Sequence, residues 1–413
     1  MSAAFTRVRT WAPRALALLA LALVAPSCKE NMVAPGSCPA LCPAGRMQIV
    51  DTTYTGVVVA DSTFRGYVSA SQAGFLVLSD LDSMQSVGLI RFQPRDTTWI
   101  PGVNDTLLRI GRVDSVRVSL NVSGRDTTMR NIRVLVYRLP VTFDTAMTWA
   151  GVQSYLVDSL LIDSIAVPDT LKSGLVTQRI RSGVLETLPP EDNQQVALAL
   201  RVRANGKTSL SIGSAEDYAG ATRLLWNVHA PAPRDTVSHQ FAAGIQFDTF
   251  VYTPASTVPA AALAAGGIPA ARAVLRFALD SLPGALDSLG LVRATLILTP
   301  IRKARGRPGE GFRLSARGLV RDYGAKSTIF SDTSAGGTAL IYEGDSAEVR
   351  IEISRLLRVW GASAGDSLPR ALMLLSDPEG AGMGEVVVAG HGAGAAAPRL
   401  RITYVRPYVF GVP

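Results

Sequence analysis

Cysteine is nearly absent: the 413 residues hold only Cys28, Cys38 and Cys42, all near the N-terminus. A disulfide framework through the body of the fold is therefore excluded. Histidine is equally scarce, at His229, His239 and His391, and no His-Glu-x-x-His stretch, Gly-x-Ser-x-Gly elbow or Gly-x-x-x-x-Gly-Lys loop occurs. The chemistries that depend on those motifs are excluded with them. Charged residues are 18% of the chain and hydrophobic ones 47%, so it can bury real cores and is not disordered by composition. The net charge of +8 is too dilute and too poor in lysine for a nucleic-acid binder. Simple solubility accounts for such a charge first, and general attraction to an acidic polysaccharide or lipid head group is the alternative. No catalytic residue, metal site or cofactor is expected.

What is present begins with a leader. Arg7, Arg9 and Arg14 precede the apolar run Ala15 to Ala25, which at about 11 residues is too short to span a bilayer as a helix. Ala25-Pro26-Ser27 then runs into Cys28. This resembles a bacterial lipoprotein signal, although Pro26 stands where a small residue is usual. The resemblance implies that residues 1–27 are removed and that Cys28 becomes the lipidated first residue of an exported protein. Ala25 and Ser27 also suit an ordinary secretory signal cut after Ser27. Loss of the leader's three arginines lowers the formal charge from +8 to +5. Lys29, where Asp would hold the protein back, implies the outer membrane. Residues 28–48 read as a flexible tether. Within it, Cys38 and Cys42 are expected to form a local disulfide, since no His or acid lies between them to complete a metal site.

Beyond the tether, one ordered set of strand-like motifs occurs twice. Leu89-Ile90-Arg91-Phe92 is answered by Val274-Leu275-Arg276-Phe277, and residues 113–120 by 291–298. Residues 195–200 are matched by 369–374, and the closing strand 222–228 by 398–404. The offset is the size of a domain rather than of a solenoid repeat. Short runs of period two, such as Arg117-Val118-Ser119-Leu120-Asn121-Val122, predict half-buried strands. The recurrent Asp-Ser and Asp-Thr pairs read as turn caps between them. Two prolines in Ala230-Pro231-Ala232-Pro233 suggest a break between modules. The expected division is a first β-sandwich at 49–229, a linker at 230–243, a second β-sandwich at 244–407 and a tail at 408–413. One helix is expected near Ala347–Trp360, from the spacing of Val349, Ile353, Leu356, Leu357 and Trp360. A poorer counterpart is expected over Asp169–Leu185. The fold class is thus all-β: two tandem antiparallel jelly-roll-like β-sandwiches with one short helix in at least the second module.

The motif order resembles the DNRLRE-type jelly-roll domain, a carbohydrate-binding-module-like family. The likeness rests on Val274-Leu275-Arg276-Phe277 leading to Ser281-Leu282-Pro283, then Ala294-Thr295-Leu296, Trp360, Arg370-Ala371-Leu372-Met373-Leu374 and the closing Pro398 to Tyr404. Ser209 to Glu216 resembles the family's hairpin in the first module, while Phe92-Gln93-Pro94-Arg95 departs from it by lacking the Leu-Pro turn. The resemblance implies a non-catalytic accessory module, in some members binding polysaccharide. Trp99, Trp149 and Tyr323 could stack on sugar faces or act as lids over core edges. The basic stretch Arg302-Lys303-Ala304-Arg305-Gly306-Arg307 reads mainly as a solvated loop that could touch phosphate or uronate. His229 and His239 read as solvated side chains, and His391 as part of a Gly-rich turn. The functional expectation is a lipid-anchored, non-catalytic envelope or surface protein binding polysaccharide. The alternatives are a structural or adhesion protein with an envelope-protein partner and, less favoured, a polysaccharide-acting enzyme. The ligand-binding residues stay unassigned at this level.

Overall fold

Alternation of apolar and polar residues with period two builds most of this chain into antiparallel strands. The computed structural model describes residues 49–405 except 101–105, 182, 190–191, 218–219, 233, 235, 255–256, 280–281, 283–289, 363–367 and 381. The leader, Cys28, Cys38, Cys42, the tether and the tail 408–413 lie outside the described residues. Among those described, no helix is long and apolar enough to cross a membrane.

The described chain opens with β1 (Ile49–Tyr54) and β2 (Val58–Arg65), then β3 (Phe75–Leu81) and β4 (Met84–Phe92). A small hairpin, β5 (Thr98–Trp99) and β6 (Leu108–Arg109), leads into the long β7 (Arg112–Arg125). After β8 (Arg133–Leu139) come the short helix α1 (Trp149–Val152), β9 (Leu161–Ala166) and β10 (Gly174–Arg179). β11 (Ala197–Arg203), β12 (Thr208–Gly213) and β13 (Arg223–His229) end the first repeat. The second half runs β14 (Ser238–Ala243), β15 (Ile245–Tyr252), β16 (Ala262–Gly266), β17 (Ala271–Phe277) and β18 (Leu291–Leu298). It continues through β19 (Gly311–Arg321), β20 (Thr328–Ile329), β21 (Gly336–Tyr342), β22 (Val349–Glu352) and helix α2 (Ser354–Ala362). β23 (Ala371–Asp377), β24 (Glu385–Ala389) and β25 (Arg399–Val405) close it.

Pairing gathers these strands around two main cores. One eleven-stranded sheet curls round the first, in the order β14-β13-β7-β12-β3-β4-β11-β8-β9 with β10 also on β7 and β15 also on β4. The second core is enclosed by the four-stranded sheet β1-β25-β18-β22 and by the sheet β20-β19-β23-β17-β16-β24, which carries β2 on β17 and β21 on β19. The order β14-β13-β7-β10 thus matches β1-β25-β18-β22, and β15-β4-β11-β8 matches β2-β17-β23-β19. All four repeated motifs occupy equivalent strands.

The two strands that precede each repeat do not stay with it. β1 and β2 leave the first repeat and pair with β25 and β17 of the second. β14 and β15 turn back and pair with β13 and β4 of the first. Each sandwich is completed by an arm that precedes the other's repeat in sequence. Even the bulges agree: Gln246 is skipped opposite Arg91–Phe92, as Val59 is opposite Arg276–Phe277. Likewise Asp114 is skipped between β7 and β13, and Val292 between β18 and β25.

Several expected boundaries therefore change. β14 runs antiparallel to β13, so 238–243, expected as linker, is a strand paired along it. The arms connect instead through 66–74 and 253–261. Residues 349–352, expected as helix, form β22, because Val349 and Ile351 face the core while Arg350 and Glu352 face out. The helix itself is Ser354–Ala362 and buries Leu356, Leu357 and Trp360. Its expected counterpart at 169–185 contains the strand β10, which occupies the place of β22.

Candidate functional site

On β13, Leu224, Trp226 and Val228 are buried, which turns Arg223, Leu225, Asn227 and His229 outward. The same alternation on β7 turns Ser115 and Arg117 outward, opposite Asn227 and Leu225. β14 adds Ser238 and Gln240 opposite His229 and Asn227. A ladder then crosses three strands: Gln240 Nε2 donates to Asn227 Oδ1 at 3.0 Å, and Asn227 Nδ2 donates to Ser115 Oγ at 2.9 Å. Ser119 and Thr177 share a hydroxyl–hydroxyl bond of 2.9 Å between β7 and β10. The groove along this ladder has a volume of about 510 Å³ and includes Asp114, Ser115, Arg179, Asn227, His229 and Gln240 in its lining.

The charges on this face are unevenly matched. Arg117 stands directly opposite Arg179 across the β7–β10 ladder, and both are exposed. Arg223, also exposed, is opposite Ser119, two residues along β7 from Arg117. The bulge residue Asp114 is taken by others, with His229 Nε2 at 2.5 Å and Arg112 Nε at 3.0 Å. Arg179 donates to the Asp114 carbonyl at 2.9 Å, and among the described residues no carboxylate forms an ion pair with it.

The equivalent face of the second sandwich is matched throughout. Where Arg117 meets Arg179, the second copy has Thr295 opposite Glu352, and Glu352 pairs with Arg293 at 2.7 Å. Arg401 grips Asp51, and its hydrogen bonds hold that carboxyl below the usual range. Arg350 and Arg399 share Glu348. One scaffold thus carries an ion-paired face and a face with excess arginine.

The residues singled out from sequence do not assemble into one site. Trp99 is buried in the β5–β6 hairpin, stacked on His239 with ring centres 5.7 Å apart. Trp149 opens α1 and packs on the satellite cluster around Phe143 and Val152, whereas Tyr323 is exposed on the second sandwich. His391 pairs with Asp61 through Nδ1 at 3.0 Å. The basic loop is not mainly solvated. Arg302 pairs with buried Glu385 at 2.5 Å, while Arg307 is buried and reaches Ser209, Ser211 and Glu310. Ser209 and Ser211 lie on β12, so Arg307 latches one sandwich to the other. Among the described residues, no group of three or more His, Cys, Asp or Glu is placed to hold a metal ion. Sequence reasoning missed Arg117, Arg179 and Arg223, because their proximity depends on cross-strand register. The readable signal was arginine at outward positions of alternating strands. No protein-family model matches the chain, and no curated protein matches it significantly.

Proposed function

We propose that this chain is an exported, lipid-anchored, non-catalytic envelope or surface protein. In this reading its first sandwich binds acidic polysaccharide across β14-β13-β7-β10. Cys28 carries the lipid, residues 29–48 form the tether, and the outer membrane is the destination. One observation carries the ligand assignment: Arg117 faces Arg179 where the second sandwich has a Thr–Glu pair. Like charges directly opposite in a sheet cost stability, and a bound polyanion offsets that cost. Guanidinium groups bind carboxylates in bidentate fashion, and the amide–hydroxyl ladder suits sugar hydroxyls.

The test is a titration with polygalacturonate, using dextran as the neutral control. Polygalacturonate is expected to bind, with affinity falling as salt screens the exposed charges. Arg117→Gln/Arg179→Gln is expected to bind about tenfold or more weakly, the equivalent of one charge-assisted hydrogen bond. Each single variant should be as stable as the native protein or more stable, by about 0.2–1 kcal/mol. Undiminished binding by the double variant would remove this face from the account. No polysaccharide binding at all would favour an adhesion role with a protein partner.

A further inference from the structure

A second concavity lies where the sandwiches meet, away from the arginine face. Its volume is about 530 Å³, within the range of about 300–1,000 Å³ common to small-molecule sites. Phe75 comes from the first sandwich; Phe312, Leu340 and Met383 come from the second, and Leu340 keeps 56% of its surface exposed. These four give the cleft an apolar wall. Two serines also line it, Ser123 on β7 and Ser376 on β23, and both Oγ atoms are buried without a hydrogen-bond partner among the described residues. Buried hydroxyls are ordinarily paired, so one orphan from each sandwich in the same cleft requires an explanation.

The charged groups of the lining are balanced. Arg307 is bound to Glu310, and Asp377 accepts from Ser315 at 3.5 Å and Arg317 at 3.4 Å. Arg313 is the remaining charged residue, so the lining holds two arginines against two acids. A strongly charged ligand would find no net field here, unlike at the arginine face. An apolar wall with isolated hydroxyls matches a molecule that is flat and apolar on one side and carries hydroxyls at its edge.

We infer that this inter-sandwich cleft binds a small, neutral, hydroxylated ligand of the size of one or two sugar rings, held between Ser123 and Ser376. The site is independent of the polyanion face. A ligand there touches both sandwiches and stabilises their junction by mass action.

The experiment titrates the full chain with glucose, galactose, maltose, cellobiose and lactose, following heat release and Tm. At least one is expected to bind saturably and raise Tm. Ser123→Ala/Ser376→Ala is expected to lose at least about tenfold in affinity, the ratio one neutral hydrogen bond supports. Its own Tm should stay level or rise, because each change removes an unpaired polar group. Arg117→Gln/Arg179→Gln must leave this binding intact, which separates the cleft from the polysaccharide face. Binding by none of the five sugars, binding that survives the double serine change, or a lowered Tm in the serine variant would each overturn the inference.

Discussion

Asp248 shows how a single residue ties an exchanged arm to its host. It lies on β15, 2% exposed, and accepts a hydrogen bond from the Ala215 backbone N–H at 2.8 Å. Asp61 does the same on the other arm, accepting from the His391 backbone N–H at 2.5 Å. Burial pushes the Asp248 carboxyl up to about 7. In the unfolded chain it titrates near the ordinary value of about 3.9. The folded state therefore holds the proton more tightly, and the resulting stability is full below about pH 4 and lost as pH rises through about 7. At about 1.4 kcal/mol per unit the swing is at most about 4 kcal/mol. Asp248→Asn keeps an acceptor for Ala215 and removes the titration. Urea unfolding at pH 4 and pH 8 should show the variant close to the native protein at pH 4 and more stable at pH 8. An equal difference at both pH values would show that Asp248 does not titrate in this window.

At the scale of elements, the repeated Arg-Phe motif (Arg91-Phe92 and Arg276-Phe277) and the basic loop acquire physical roles. Arg91 on β4 donates to the Val141 carbonyl at 2.8 Å and the Phe143 carbonyl at 3.3 Å, while its counterpart Arg276 grips Asp322 through two bonds. Both anchor a loop over the outer side of the sheet. Arg307 holds a sandwich to its neighbour rather than a loop to its sheet. Arg307→Ala would leave the Ser209 and Ser211 hydroxyls without this partner, and a lost bond to a charged group costs about 1.5–3 kcal/mol. Calorimetry should show a loss of that order and a broader transition as the sandwiches begin to unfold separately. A change below about 0.5 kcal/mol, ordinary for a surface substitution, would mean that Arg307 is no latch.

For the whole molecule, period-two alternation made the all-β class legible, and the motif repeat correctly named the equivalent strands. Where each strand would find its partner was not legible. Ile49–Tyr54 reads as the start of the first module, yet Ile49 pairs with Val405 at the far end of the described chain. Local pattern specifies a strand and its buried face; long-range pairing is chosen by complementary contacts such as Arg65 with Glu385 and Asp51 with Arg401. The arginine face was hidden for the same reason, because Arg117 and Arg179 meet only through register. The helix–strand error at 349–352 is different in kind. Val349 and Ile353 fit a helical spacing, but Val349 and Ile351 equally fit a strand, and four residues cannot decide between them.

The exchange of arms and the placement of the acidic-polysaccharide site can be tested together on two fragments. Residues 73–254 contain β3 to β15, every strand of the first sandwich; residues 49–229 follow the sequence repeat but lack β14 and β15. The measurement is polygalacturonate binding by each fragment, with thermal unfolding followed in the same samples. The account predicts a single cooperative transition and native-like binding for 73–254, and neither for 49–229. A folded, binding 49–229 beside an unfolded 73–254 would contradict it.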